Sequence, residues 1–142
     1  MGGYDNNNIF AKILRGELPA HKVYEDDKTF VFLDIMPRAP GHALIIPKAP
    51  ARNLLDVAPG DLAAVMATTQ KVARAAMKAF DAAGITMQQF NEPAGGQVVF
   101  HLHVHIIPRQ EGVPLKPPAT FKETTENLTA HADRLRAALN AA

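Results

Sequence analysis

The chain contains no cysteine in its 142 residues. That excludes disulfides, thiolate zinc sites and thiol nucleophiles, and it fits a reducing compartment. There is no charge bias: 15 Lys and Arg stand against 14 Asp and Glu. No basic surplus is available to hold nucleic acid or an anionic membrane surface. No apolar run approaches the ~20 residues of a spanning helix. The start, MGGYDNNN, has no positive stretch followed by an apolar one and does not read as a signal peptide. Repeats and low-complexity tracts are also missing. The expectation is a cytoplasmic protein with neither a membrane nor a nucleic acid as partner. With 47% hydrophobic residues, the chain can bury one domain's core.

Punctuation and periodicity divide what is present. Asn6 to Asn8 can cap a short helix over Ile9 to Arg15, which Gly16 can end. Two strands follow, His21 to Glu25 and Thr29 to Asp34, with Asp26, Asp27 and Lys28 as their turn. A third strand, His42 to Ile46, stops at Pro47. A helix from Pro59 or Asp61 to Ala83 carries apolar residues at helical spacing: Leu62, Val65, Met66, Thr69, Val72, Ala73, Ala76, Met77 and Phe80. Gly84 suits the position just past its end. A fourth strand runs Thr86 to Asn91, and Glu92 to Gly96 is a turn. Pro114, Pro117 and Pro118 make an extended arm, and Thr125 to Leu139 is a last helix. This order predicts an α+β fold, an antiparallel sheet with helices on one side.

The densest chemistry lies in Phe100-His101-Leu102-His103-Val104-His105-Ile106-Ile107-Pro108. Apolar residues alternate with three histidines at a period of two, which reads as a strand with one buried face. Residues i, i+2 and i+4 of a strand share a face, ~6.7 Å apart. His101, His103 and His105 therefore point one way, and Leu102, Val104 and Ile106 the other.

Three explanations compete. A structural role leaves three imidazoles in need of partners on one face, which is hard to arrange. A metal site is awkward, because the outer rings are ~13 Å apart at the backbone. The third is phosphoryl or nucleotidyl transfer through a histidine nucleophile. Its middle ring would keep one bare nitrogen, and its neighbours would stabilise charge on phosphate oxygens. The preceding Gly95-Gly96-Gln97 can form an anion-binding concavity of backbone N–H groups. That favours the third explanation.

Together these residues resemble the histidine-triad (HIT) superfamily, defined by three histidines that alternate with apolar residues, here His101 to Ile107. Ile9-Phe10-Ala11-Lys12-Ile13, Glu25-Asp26-Asp27, Phe32-Leu33-Asp34-Ile35, Pro40 to Lys48, Asn91-Glu92 and Gly95-Gly96-Gln97 look like its Hint branch. The likeness runs from about Ile9 to Arg109. It implies a five-stranded antiparallel sheet with a short N-terminal, a long and a C-terminal helix. Residues 1–109 would form the HIT domain, with 110–142 an arm and helix of the same unit. It also implies a homodimer through helix 61–83, with one sheet continuous across both subunits.

The resemblance further implies site roles. His103 would be the nucleophile, and His105 would contact the phosphate and help to protonate the leaving group. His101 would orient its neighbours, and His42 would stand beside the triad. Asp34 would bind the ribose hydroxyls. Ile9, Ile13, Leu18, Phe32 and Ile35 would line a slot for the base. Asn91, Gly96 and Gln97 would contact phosphate or sugar. Val98 stands where many relatives have Ser or Thr, so its backbone N–H would serve instead of a hydroxyl. No metal or other cofactor is implied, since the zinc-binding cysteines of some relatives are absent. The C-terminal arm differs from the tail of the eukaryotic relatives. The implied reaction cleaves an AMP-like purine nucleotide from an amine or acyl group. Alternatives are hydrolysis of dinucleoside polyphosphates and a nucleotide-binding scaffold.

Overall fold

The computed structural model describes residues 2–141. The elements are α1 (Ile9–Leu14), β1 (Lys22–Glu25), β2 (Thr29–Leu33), β3 (Ala43–Pro47), α2 (Pro59–Ala79), β4 (Gly84–Gln88), a single 3₁₀ turn (Pro93–Gly95), β5 (Val104–Arg109) and α3 (Thr125–Asn140). The strands form one antiparallel sheet in the order β1-β2-β3-β5-β4. The α+β layout read from the sequence is therefore the one observed. Among the described residues no helix is long and apolar enough to cross a membrane.

Short helix α1 is fixed at both ends by its own residues. The Asn8 side chain accepts from the Ala11 N–H, which satisfies one of the orphan donors of the first turn. Past the end, the Gly16 N–H donates to Ile13 and the Glu17 N–H to Lys12. That paired closure needs a left-handed residue, and Gly16 supplies it with φ 78°.

Most of the apolar burial lies between the sheet and two helices. Val31, Leu33, Ala43, Ile45, Val104 and Ile106 face Val65, Val72, Ala75 and Ala76 of α2, with Leu128, Ala132 and Leu135 of α3 in the same core. The hydroxyls of Thr29 and Thr68 hydrogen-bond each other at 2.8 Å in this core, so neither is left unpaired. The opposite face is not bare. There α1 sets Phe10 against Phe32, Leu44 and Ile46, which corrects the expectation of helices on one side only.

Three boundaries differ from those expected, each for a physical reason. Helix α2 stops at Ala79 rather than Ala83, because Asp81 takes the left-handed position with φ 46°. Its N–H and that of Ala82 close on Lys78 and Met77, and the Ala83 N–H joins the Arg109 carbonyl. Gly84 thus begins β4 instead of ending the helix, and β4 leaves the sheet at Gln88 rather than Asn91. Strand β3 does end at Pro47, as expected, with Pro47 its last residue opposite Thr29. Finally, β5 begins only at Val104, so His101 and His103 precede the strand. Their alternation persists, but the backbone groups have other partners: the Leu102 N–H donates to Ala51.

The turn that carries His42 is locked to the back of the molecule. Gly41 has φ 84°, and a Cβ there would lie 2.4 Å from Phe80 Cε2. Phe80 cannot easily yield, since His131 sits edge-on to its ring at 5.5 Å and the Arg134 guanidinium covers it at 4.4 Å. Gly41→Ala combines a left-handed cost of ~1–2 kcal/mol with overpacking of ~1–3 kcal/mol. The expected loss is ~2–4 kcal/mol in urea unfolding at an unchanged m value. A loss under ~1 kcal/mol would mean that Phe80 moves aside freely.

Candidate active site

Each histidine of the triad has a tautomer dictated by its partners. His103 Nδ1 lies 2.7 Å from the His101 carbonyl oxygen. A carbonyl only accepts, so Nδ1 carries the proton and Nε2 of the neutral ring keeps a bare lone pair. The ring is half-buried between Phe10 and His105, edge-on to both at 4.9 and 5.0 Å between centroids. Burial lowers its pKa, which favours the neutral, nucleophilic form.

His101 is fully buried and donates from Nε2 to the Pro47 carbonyl at 2.8 Å. Its Nδ1 accepts from the Tyr4 hydroxyl at 2.6 Å. Both ring nitrogens are thus used to fix residue 101, whose carbonyl in turn holds His103. Burial lowers its pKa to about 4, the nearby His103 adding to this and the bond to Pro47 opposing it.

His42 and His105 form a pair. His42 Nδ1 accepts from the Arg38 backbone N–H at 3.1 Å, so its proton sits on Nε2, 2.9 Å from His105 Nδ1. His105 Nδ1 then accepts, and the neutral His105 ring carries its proton on Nε2. Burial is the largest cause that lowers His42 to about 4 and His105 to about 3. The Arg38 cation and neighbouring imidazoles push the same way.

Asp34 stands beside this pair, its Oδ2 3.7 Å from His42 Nε2. Its Oδ1 accepts from the Met36 N–H at 2.9 Å, and burial raises its pKa against that bond. Asp34, His42 and His105 bring ligand atoms within 4.8 Å of one another. The sequence around the triad offered no such carboxylate; it arrives from the end of β2. A cation at this point would have to break the His42–His105 hydrogen bond.

Of the base-slot residues, Ile9, Leu18 and Ile35 leave large apolar side chains exposed, at 49%, 39% and 46%. Ile13 packs at the edge of the Phe10–Phe32 cluster. Phe32 is only 4% exposed and forms part of the core floor rather than an open wall.

The turn before the triad does not use the groups expected of it. The N–H groups of Gly95, Gly96 and Gln97 all donate within the turn, to Glu92 and Pro93. They are not free to cradle an anion. The Gln97 side chain is 4% exposed and fully occupied. Its Oε1 accepts from Asn53 Nδ2 and from the Glu92 N–H. Its Nε2 donates to the Arg52 and Val99 carbonyls. Arg52 grips the Glu92 carboxylate with two nitrogens at 2.8 and 3.0 Å, and Asn53 adds a third bond. The Gln97 side chain therefore braces the turn. Asn91 is also largely committed, accepting from the Leu54 N–H and exchanging bonds with Gln89. Val98 is 83% exposed, and its N–H has no partner among the described residues. It is the first free donor before the triad.

Sequence reasoning missed Tyr4, Arg38, Arg52, Asn53 and Phe10 as members of this region. Phe10 was legible only as part of the Ile9 to Ile13 segment that looks like the Hint branch. Arg38 carried a signal in the Pro37-Arg38-Ala39-Pro40 stretch before His42, a loop stiffened on both sides. Tyr4 had none, as it meets His101 across 97 positions.

The pattern that defines the HIT domain matches residues 15–112. The adenylylsulfatase of Arabidopsis thaliana is 42% identical over 106 residues, which cover 75% of this chain and 54% of that protein. This chain thus spans about half the length of that plant relative. A HIT-like protein involved in cell-cycle regulation from Bartonella henselae superposes with a TM-score of 0.93 at 54% identity, over 96% of this chain and 99% of that one. A hypothetical histidine triad nucleotide-binding protein from Sulfolobus tokodaii gives 0.86 at 32% identity, over 93% and 91%. The chain belongs to the HIT family.

Proposed function

We propose that the chain cleaves an AMP-like purine nucleoside monophosphate from an amine or acyl leaving group, with His103 as nucleophile. The observation that carries this is the 2.7 Å bond from His103 Nδ1 to the His101 carbonyl, which leaves Nε2 bare. In the first step Nε2 attacks the α-phosphorus and the bond to the leaving group breaks; the neutral His105 Nε2–H hydrogen-bonds the departing atom, which takes its proton from solvent. Water then attacks the nucleotidyl-histidine, the N–P bond breaks, and one proton of that water returns to solvent as the monophosphate leaves and His103 is restored neutral. Asp34 would accept from the ribose hydroxyls, and Ile9, Ile13, Leu18 and Ile35 would cover the base over a floor of Phe32. The Val98 N–H would take a phosphate oxygen.

Rapid quench into alkaline denaturant with labelled substrate, which preserves an acid-labile N–P bond, followed by peptide mapping at alkaline pH, tests the mechanism. Label is expected on the peptide that contains His103. Full turnover with no trapped adduct under single-turnover conditions would sink the reading. A second leaving group, sulfate, is favoured by the likeness to the plant adenylylsulfatase. Parallel rates on an adenosine phosphoramidate, adenylyl sulfate and a diadenosine polyphosphate would rank these classes.

Homodimer formation belongs to the same reading. The β4 edge of the sheet is open, and Met66 of α2 and Met87 of β4 expose apolar surface at 40% and 53% beside the half-buried Ile85. An exposed edge with an apolar flank is a pairing surface.

A further inference from the structure

The C-terminal arm reaches the catalytic histidines through a single residue. Lys116 donates its backbone N–H to the Arg38 carbonyl at 3.0 Å. Its own carbonyl accepts from Arg38 Nε at 2.8 Å. A second clasp joins the Glu123 N–H to the Ile35 carbonyl at 3.0 Å. Arg38 Nη1 meanwhile donates to Gln88 Oε1, and Gln88 lies opposite His105 across the β4–β5 pairing. Arg38 is thus held from the arm side through its carbonyl and Nε and from the sheet side through Nη1.

The N–H of the residue so held, on the peptide that joins it to Pro37, faces the one nitrogen that decides the state of the pair. His42 is 2% exposed, so bulk water is not at hand to replace a missing partner. A backbone N–H can only donate. While it points at His42 Nδ1, the His42 proton has to sit on Nε2, and His105 Nδ1 has to be an acceptor. The pair, which already holds one proton on each ring, cannot take up a third without either an N–H facing an N–H at Arg38 or a broken His42–His105 bond. The Arg38 guanidinium adds a fixed positive charge beside the pair, the other ionisable neighbours being His103 and Asp34.

We propose that Arg38, latched by the C-terminal arm, is a positioning residue whose peptide N–H holds His42 and His105 in the one tautomeric state that presents a neutral His105 Nε2–H to the leaving group. The inference rests on the nucleotidyl-transfer reading for its kinetic half and on geometry alone for its tautomeric half. The consequence is specific. Releasing the latch lets the His42 ring change partners, and the Nε2–H of His105 is then present only part of the time. A donor of this kind matters most where negative charge builds on a poor leaving atom, and little where the leaving group carries that charge unaided.

Long-range 1H–15N spectra of the labelled full chain test the first half without any variant. His42 is expected with Nε2 protonated and Nδ1 bare, and His105 likewise. A spectrum with His42 protonated on Nδ1 would overturn the proposal. Arg38→Ala keeps the peptide N–H but removes the guanidinium bonds to Lys116 and Gln88. It is expected to broaden or split the His42 and His105 signals. On an adenosine phosphoramidate, kcat should fall ~10–100-fold with KM little changed. On an aryl ester of AMP the fall should stay under ~3-fold. Arg38→Lys should recover part of the loss. Lys116→Ala, which leaves both backbone bonds of the arm intact, should behave as the parent. Equal losses on both substrates, or an unchanged histidine spectrum in Arg38→Ala, would show that Arg38 has no such role. If the parent chain turns over neither substrate, the function reading fails, while the spectra still decide the tautomer.

Discussion

His103→Gln is expected to lose kcat/KM by a factor on the order of 10⁴ or more while still binding AMP with little change. The substitution removes the only ring of the site whose free nitrogen is both bare and half-exposed. His101 has both nitrogens committed, to Tyr4 and Pro47. His42 is likewise committed, to Arg38 and His105. His105 offers an N–H on its outer side rather than a lone pair. No neighbour can therefore take over the attack, and the loss should approach that of a missing nucleophile. Binding should survive, because Asp34, the exposed apolar residues and the Val98 N–H are untouched. Calorimetry with AMP beside a single-turnover rate measures both quantities. Retention of more than about a tenth of the activity would assign the nucleophile elsewhere.

A second large effect is expected from acid. Burial first, and then neighbouring charge, lowers His42 and His101 to about 4 and His105 to about 3. In the unfolded chain each titrates near ~6.5. Between those limits the unfolded state binds more protons than the folded one, so stability rises with pH across the window and is lost as pH falls from about 6.5 towards 4. From pH 7 to pH 5 each imidazole can cost up to about 2 kcal/mol. Because the rings share hydrogen bonds, the three together should cost on the order of 4 kcal/mol rather than a simple sum. For a domain of this size that is a fall in Tm on the order of 10 °C. Asp34 acts in the opposite sense, since burial raises its pKa against the hydrogen bond from the Met36 N–H. Asp26 lies outside the window. Burial opposes its ionisation, but the N–H groups of Lys28 and Thr29 and two hydroxyls outweigh that and lower it to about 2. Thermal melts at pH 5, 6 and 7 would settle the matter, and a flat Tm would refute it.

How far the sequence disclosed this molecule depended on the range of the interaction. Local devices were legible. Asn8 and Gly16 announced both ends of α1, and Asp26 to Lys28 announced the first hairpin. Period-two alternation correctly sorted His103 and His105 from Val104 and Ile106. Devices that compete locally were misjudged. Gly84 looked like the end of α2, but Asp81 can also adopt the left-handed conformation and reached that position first. The three histidines looked like one continuous strand, but the Ala51 carbonyl took the Leu102 N–H and drew the chain off the sheet. Gln97 was expected among the ligands through the family resemblance, and its four hydrogen-bonding positions are filled by its own turn and by the Arg52–Asn53 loop. Long-range partners left almost no trace. Nothing in MGGYDNNN indicates that Tyr4 ends against His101, and nothing in the Pro-rich arm indicates that Lys116 clasps Arg38.

These pairings give the catalytic centre a place in time as well as in space. Tyr4 and His101 stand 97 positions apart, and Arg38 and Lys116 stand 78 apart. Closing such loops costs chain entropy before any contact offsets it. Hairpins such as β1–β2 and β2–β3 need only short closures and can assemble early. The triad, by contrast, acquires its full set of partners only after both the first and the last parts of the chain have docked. On the ribosome, where the N-terminal part emerges first, the arm arrives after every strand has been made. The sheet can thus form while His103 still lacks its surroundings, and the site as a whole is completed only as the closing event of maturation.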